Sequence, residues 1–357
     1  MFKFWGPPQL FINKKGMNMI KKLIASSFAF AFLFISNISL IIAGNSSLSE
    51  DELHHLTELA SSGDVIVQIN LASIFYYGSL GVPQDYREAA KWYRKAAEHG
   101  NVGGQYTLGF MYEHGNGVPY DYKKALKWYL KAAEQESAGA QYNLAVMYEH
   151  GKGVSPDLEE ALRWYQKAAK QGNADAQYAL GAMYGHGQGV SRDYKEALKW
   201  YRKAAELSLE QAQYHLGYAY DKGLGVHQDK TEAAKWYRKA AEQGNVDAQY
   251  SLAFMYEHGE GVSLDNIEAA KWYREAAEQG NVKSQHALAV MYEHGEGVSQ
   301  NKTEAAKWYR KAAEQGSAGA QYSLGFMYQN SLGLPQDDKE AAKWITKAAE
   351  QGNIDAQ

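Results

Sequence analysis

The side chains best suited to chemistry are five histidines in a fixed register: His114, His150, His186, His258 and His294. A glutamate precedes four of them, at Glu113, Glu149, Glu257 and Glu293, and imidazole beside carboxylate is a common metal-binding pair. Successive members lie 36 or 72 residues apart. If each belongs to one stacked structural unit, equivalent atoms sit about 18–20 Å apart, two helix-packing distances. Ligands of one ion lie within about 4 Å of each other, so the series does not build a metal site. The run Gly185-His186-Gly187-Gln188-Gly189 resembles a phosphate cradle only in composition, because no Gly-Lys-Ser/Thr follows it. No serine-nucleophile, zinc-protease or Ser-x-x-Lys motif stands in a supporting context. Absence of cysteine removes thiol catalysis, disulfides and Cys-ligated metals. The expectation is a non-enzyme with no catalytic residues, no cofactor and no metal.

The spacing itself is the stronger signal. Trp92, Trp128, Trp164, Trp200, Trp236, Trp272, Trp308 and Trp344 are separated by 36 residues without exception. Ala89 and its equivalents through Ala341 keep the same period, as do Gln105, Leu108 and Tyr112 through Gln321, Leu324 and Tyr328. A constant period of this size marks stacked supersecondary units, and eight fit between Asp64 and Gly352. In one unit, Leu180, Met183 and Tyr184 form the apolar stripe of a first helix, opened by Asn173 as N-cap after the C′ residue Gly172. Asp193 with Glu196 predicts a capping box at the start of a second helix. The box recurs in the other units except at Asp121/Lys124. On that helix Ala197, Trp200, Tyr201, Ala204 and Ala205 share one side, and Lys199, Arg202, Lys203 and Glu206 the other. Neither helix can bury its apolar side alone, so neighbours must stack. Gly109, Gly181, Gly217 and Gly325 alternate with Ala at one mid-helix position. Such glycines cost about 1 kcal/mol each relative to Ala, which implies another helix pressing there. The predicted fold is all-α, a right-handed α/α superhelix of eight helix-turn-helix repeats.

The pattern A-Q-Y-x-L-[AG]-x-M-Y-E-H-G-x-G-V, followed by D-x-x-E-A-x-K-W-Y-x-K-A-A-E-Q-G-N, resembles the Sel1-like repeat family, a relative of the tetratricopeptide repeat with a longer inter-helix loop. The resemblance covers about 290 of the 357 residues. The first unit departs in its loop, Tyr76 to Gly81, and the last at Tyr328 to Gly333, as terminal caps do. The resemblance implies adaptor roles that rest on protein–protein contacts, in bacterial envelope assembly, signalling or host interaction. β-Lactam binding or hydrolysis belongs to Cys-rich relatives with a disulfide in each repeat, so little of it carries over to a Cys-free chain.

Residues 1–44 read as a secretory signal, with Lys21-Lys22 before an apolar stretch from Leu23 to Ala43; Met17 or Met19 is the natural start. Polar interruptions favour cleavage near Ala43 over an uncleaved anchor, although about 20 residues can span a bilayer. Residues 45–63 form a polar lead or N-terminal cap, 64–352 the eight repeats, and 353–357 the start of a ninth. The expected location is periplasmic or secreted in a bacterium, with a membrane anchor or a eukaryotic lumen as the lesser alternatives. Lys plus Arg total 37 and Asp plus Glu 41, a formal charge of −4. That balance leaves no basic footprint for nucleic acid, and the Lys/Arg rows of the second helices have glutamates within pairing reach.

Positions that never change build the stack, whereas those that drift can carry recognition. On the first helices the drifting positions are 103, 107, 110 and 114 with their equivalents, which is a single helical stripe. It supplies the candidate partner-binding residues Phe110, His114, Asn143, Val146, His215, Tyr218, Phe254, His258, Val290 and Phe326. If first helices line the concave surface, these form an apolar–polar groove with aromatic anchors. The expected function is an exported scaffold holding protein partners there. A carbohydrate-binding envelope component is the alternative, since tyrosines suit sugar stacking. Near-identical units also raise a homodimer by swapping.

Overall fold

The computed structural model describes residues 47–356, so the signal-like stretch lies outside the described residues. All regular structure in that range is helical. A leading helix α1 (Glu50–Ser61) precedes eight pairs: α2 (Val65–Tyr77) with α3 (Tyr86–Glu98), α4 (Val102–His114) with α5 (Tyr122–Glu134), and α6 (Ala138–His150) with α7 (Leu158–Lys170). The series continues with α8 (Ala174–His186) and α9 (Tyr194–Glu206), then α10 (Glu210–Lys222) and α11 (Lys230–Glu242). It ends with α12 (Val246–His258) and α13 (Asn266–Glu278), α14 (Val282–His294) and α15 (Lys302–Glu314), and α16 (Ala318–Gln329) and α17 (Asp338–Glu350). The chain divides into two compact units between Gln171 and Gly172. Within each unit, every helix packs on the one before and the one after it in sequence. Among the described residues no helix is long and apolar enough to cross a membrane.

Caps fix the ends of these short helices. Asn101, Asn173, Asn245 and Asn281 each accept a backbone N–H in the first turn of a first helix, and Asp85, Asp157, Asp193 and Asp265 do so for second helices. The predicted capping boxes are only half formed in the repeats. A second-helix N-cap cannot receive the glutamate, because its own N–H already donates to a tyrosine carbonyl at the end of the first helix: Asp193 N to Tyr184 O at 2.9 Å, Asp265 N to Tyr256 O at 2.9 Å. The freed glutamates pair instead with lysine three residues on, as in Glu196–Lys199 (2.7 Å) and Glu232–Lys235 (2.9 Å). The full box forms at the leading helix, between Ser49 and Glu52.

The mid-helix glycines mark the close approach that the sequence implied. A Cβ at Gly217 would lie 2.8 Å from the ring of Tyr237, and one at Gly109 2.8 Å from that of Tyr129. The second helix of the same repeat therefore presses there. The loop glycines serve the neighbouring repeat: a side chain on Gly261, at φ +69°, would run into the carbonyl of Lys230.

Neighbouring helices are also joined by a buried glutamine in each repeat. Gln249, 3% exposed, donates Nε2 to the carbonyl of Ala241 at 3.2 Å and accepts at Oε1 from Nε2 of Gln279 at 2.8 Å. It thus links the second helix before it to the second helix after it. Gln213 and Gln285 repeat both bonds, as do Gln105 and Gln141 in the first unit. Arginine adds a second link, Arg274 to the Tyr292 hydroxyl at 2.7 Å. Arg94, Arg202, Arg238 and Arg310 make the same link and are tied to the next repeat, whereas Arg163 pairs with Glu160 of its own helix. Lysines cover the indoles, most of which are buried, with Lys167 Nζ 3.8 Å from the Trp164 ring centre and Lys239 3.9 Å from that of the half-buried Trp236. Net hydrogen bonds are worth about 1 kcal/mol, and buried groups left unpaired cost about 1–3 kcal/mol. Gln249→Leu, which keeps the volume and removes both bonds, should destabilise the protein by about 2–3 kcal/mol in urea denaturation. Gln279→Ala, at the exposed end of the same link, should cost less than half as much.

Candidate functional site

The stripe positions lie on the first helices, and their exposure is uneven. Tyr218, Phe254 and Phe326 are 40%, 38% and 42% exposed, whereas Phe110 is buried at 8%. His114 stacks on Phe110 and His258 on Phe254, each at 4.0 Å between ring centres. The stacking is common to both pairs and does not explain their different exposure. Asn143, Val146, His215 and Val290 are half-buried, and His258 is exposed. Phe110, His114, Asn143 and Val146 belong to the first unit and the remaining six to the second.

Two of these residues meet in one hollow. Tyr218 and Phe254 line a cavity of about 570 Å³ between α10, α12, α14 and the second helix α11. Tyr214, Tyr237, Tyr250 and Met255 extend its apolar wall, while Asp247, Ser251, Asn281 and Lys283 add polar groups. His215, His258, Val290 and Phe326 are not part of its lining. An ion network closes one side: Asp221 lies 2.8 Å from Lys222 and 2.5 Å from Lys230, and Lys230 reaches Glu260 at 2.8 Å. Burial works to raise the Asp221 carboxyl, but hydrogen bonds from Lys222 and Lys230 and their charge outweigh it and hold it below the ordinary value. Lys230 is held above its ordinary value by its hydrogen bonds to the two carboxylates. The hollow offers aromatic faces for an apolar side chain beside charges of both signs. Sequence reasoning missed Tyr214 and Tyr250 because they recur in nearly every repeat and read as stack-building. Asp247 and Lys283 occupy the drifting position equivalent to 103, which was the available signal for them.

One tyrosine–glutamate interaction recurs inside the repeats but is not made in all of them. The second-helix tyrosine donates its hydroxyl to the first-helix glutamate in four repeats: Tyr129 to Glu113 at 2.8 Å, Tyr165 to Glu149 at 2.6 Å, Tyr273 to Glu257 at 2.6 Å and Tyr309 to Glu293 at 2.7 Å. The glutamates of the histidine series are thus hydrogen-bond acceptors for the stack. In the repeat of α8 and α9 the glutamate is replaced by Gly185, and His215 of the next first helix lies against Tyr201, rings 5.2 Å apart and 11° from parallel.

The Sel1 repeat profile matches residues 65–101, 103–137, 138–173, 174–209, 210–245, 246–281, 282–317 and 318–353. The chain belongs to the Sel1 repeat family. It is 40% identical to c5321, a protective antigen of uropathogenic Escherichia coli strains displaying an SLR fold, with a TM-score of 0.82. That match covers 85% of this chain and 65% of the other, so the chain spans under two thirds of that antigen. A Sel1 repeat protein from Oxalobacter formigenes is 36% identical with a TM-score of 0.67, covering 86% of this chain and 90% of the other. The chitin synthase regulator SKT5 of Saccharomyces cerevisiae is 33% identical over 76 residues, 20% of this chain and 11% of that protein. Sel1 repeat proteins are in general non-catalytic protein–protein interaction scaffolds. Among the described residues no three metal-ligating side chains come together.

In this Sel1 repeat protein His215 carries a measurable signature. Burial, reinforced by the nearby His186 and opposed by Asp247, pushes its pKa down from 6.5 to about 4. Above about pH 6.5 the imidazole is neutral in both folded and unfolded chains. Between 6.5 and 4 the unfolded chain takes up the proton and the fold does not, so stability falls as pH falls across that window, by on the order of 3 kcal/mol. NMR titration should place the His215 midpoint near 4, and His215→Gln should remove that part of the loss of stability between pH 7 and pH 4.

Proposed function

We propose that this protein is an exported scaffold that holds segments of protein partners against the first-helix stripe, with the hollow at Tyr218 and Phe254 as its anchoring point. The observation that carries this reading is the pair of exposed aromatic side chains set in a hollow that also presents Asp247 and Lys283. Aromatic anchors in partly enclosed, mixed surroundings are the usual energetic centre of protein interfaces. The signal-like residues 1–44 support export, and the likeness to a protective antigen supports a bacterial envelope or host-facing setting. The same exposed rings suit a sugar, so carbohydrate binding is the second reading.

The test is affinity capture from envelope and host-cell extracts with wild-type protein and with Tyr218→Ala/Phe254→Ala/Phe326→Ala, read by mass spectrometry. A protein enriched by the wild type should fall at least tenfold with the triple variant, while helicity and melting temperature stay unchanged, since these rings are exposed. Equal capture by both proteins contradicts the reading, and loss of folding in the variant assigns these residues to the stack. Retention on a polysaccharide matrix that free oligosaccharide reverses would favour the sugar.

A further inference from the structure

We propose that the notch at Gly185 is a binding site for a carboxylate, which supplies from a ligand the acceptor that this repeat lacks. In four other repeats that acceptor is the glutamate of the first helix, 2.6–2.8 Å from the tyrosine hydroxyl. Tyr201 keeps the tyrosine in place at 8% exposure, yet among the described residues its hydroxyl has no hydrogen-bond partner. Space for the missing side chain is present, because a Cβ at Gly185 would come no closer than 3.7 Å to the Tyr201 hydroxyl and 3.8 Å to Ala197.

The neighbouring side chain departs as well. Tyr129, Tyr237 and Tyr309 each have a polar side chain of the following first helix near the hydroxyl: Asn143, Ser251 and Ser323. His215 occupies the equivalent place and stacks face-on instead, packed also against Tyr178 with ring centres 5.5 Å apart. Among the described residues neither of its ring nitrogens has a hydrogen-bond partner, and the charged groups that act on it are His186 and Asp247. The Tyr201 hydroxyl, beside the His215 imidazole, thus lacks the carboxylate acceptor that the glutamate supplies in the four other repeats. A carboxylate that accepts from the Tyr201 hydroxyl completes the bond made elsewhere in the stack. It also favours the protonated form of the His215 imidazole beside it.

Propionate reproduces a glutamate side chain cut at Cα and is the probe. Aromatic-selective NMR of the purified protein should show saturable shifts of the Tyr201 and His215 rings on adding propionate, with the His215 titration midpoint moving upward. Propionamide and sodium chloride at matched ionic strength should do neither. Gly185→Glu, which restores the side chain other repeats carry and should raise the melting temperature, should abolish the response, as should Tyr201→Phe. No saturable shift in the wild type, or an equal one in Gly185→Glu, overturns the proposal. A second arm identifies the natural source and rests on the scaffold reading. Displayed random peptides are selected on the wild type and counter-selected on Gly185→Glu. Enrichment of Asp or Glu at a fixed position assigns the carboxylate to a partner chain. Propionate binding without such enrichment assigns it to a small free acid and leaves the site standing when the scaffold reading fails.

Discussion

Everything in this chain follows from one constraint: a helix of about thirteen residues with one apolar side cannot bury that side by itself. Each first helix must therefore be covered by the second helix of its own repeat, and each pair by its neighbours. Gly217 under the Tyr237 ring and Gly109 under Tyr129 show how close that cover comes. The buried glutamine supplies direction as well as cohesion. It reads a backbone carbonyl on one side and a second glutamine on the other, so a repeat out of register leaves buried polar groups unpaired, at a cost that hydrophobic contact alone does not impose.

Because those groups are fixed, variation concentrates where the stack makes no demand. The stripe on the first helices is one such place, and it is not uniform. In the fifth repeat the motif Met-Tyr-Glu-His becomes Ala219-Tyr220-Asp221-Lys222, and there the ion network of Asp221, Lys222, Lys230 and Glu260 borders the hollow. In the fourth, Gly185 removes a carboxylate that the stack uses elsewhere. Adjacent repeats that give up a regular stabilising pair are where function is expected to have displaced stability.

The period, the helix ends and the close-packed glycines were legible in the sequence because they are local or repeated facts: a tryptophan every 36 residues, an Asn, Asp or Ser before every described α-helix but α10, where Leu209 stands, and Gly or Ala at one site. The incomplete capping boxes were not, because the competing acceptor, a tyrosine carbonyl in the preceding helix, lies nine residues back across a loop. The stripe itself was legible, and Tyr218, Phe254 and Phe326 are exposed as the drift implied. Phe110 is not, since burial depends on what neighbouring repeats place over a side chain. Tyr214 and Tyr250 show the converse error, for a residue can serve the stack with one edge and a cavity with the other.

The central claim is that the constant positions hold the stack while the first-helix stripe recognises partners. Hydrogen exchange with a captured partner bound tests it most directly. Protection should appear over 210–222, 246–258 and the start of α14 near Asn281 to Lys283, with the lysine-covered tryptophan face of the second helices unchanged. Protection confined to that second-helix face, with the stripe exchanging as in the free protein, would contradict the account.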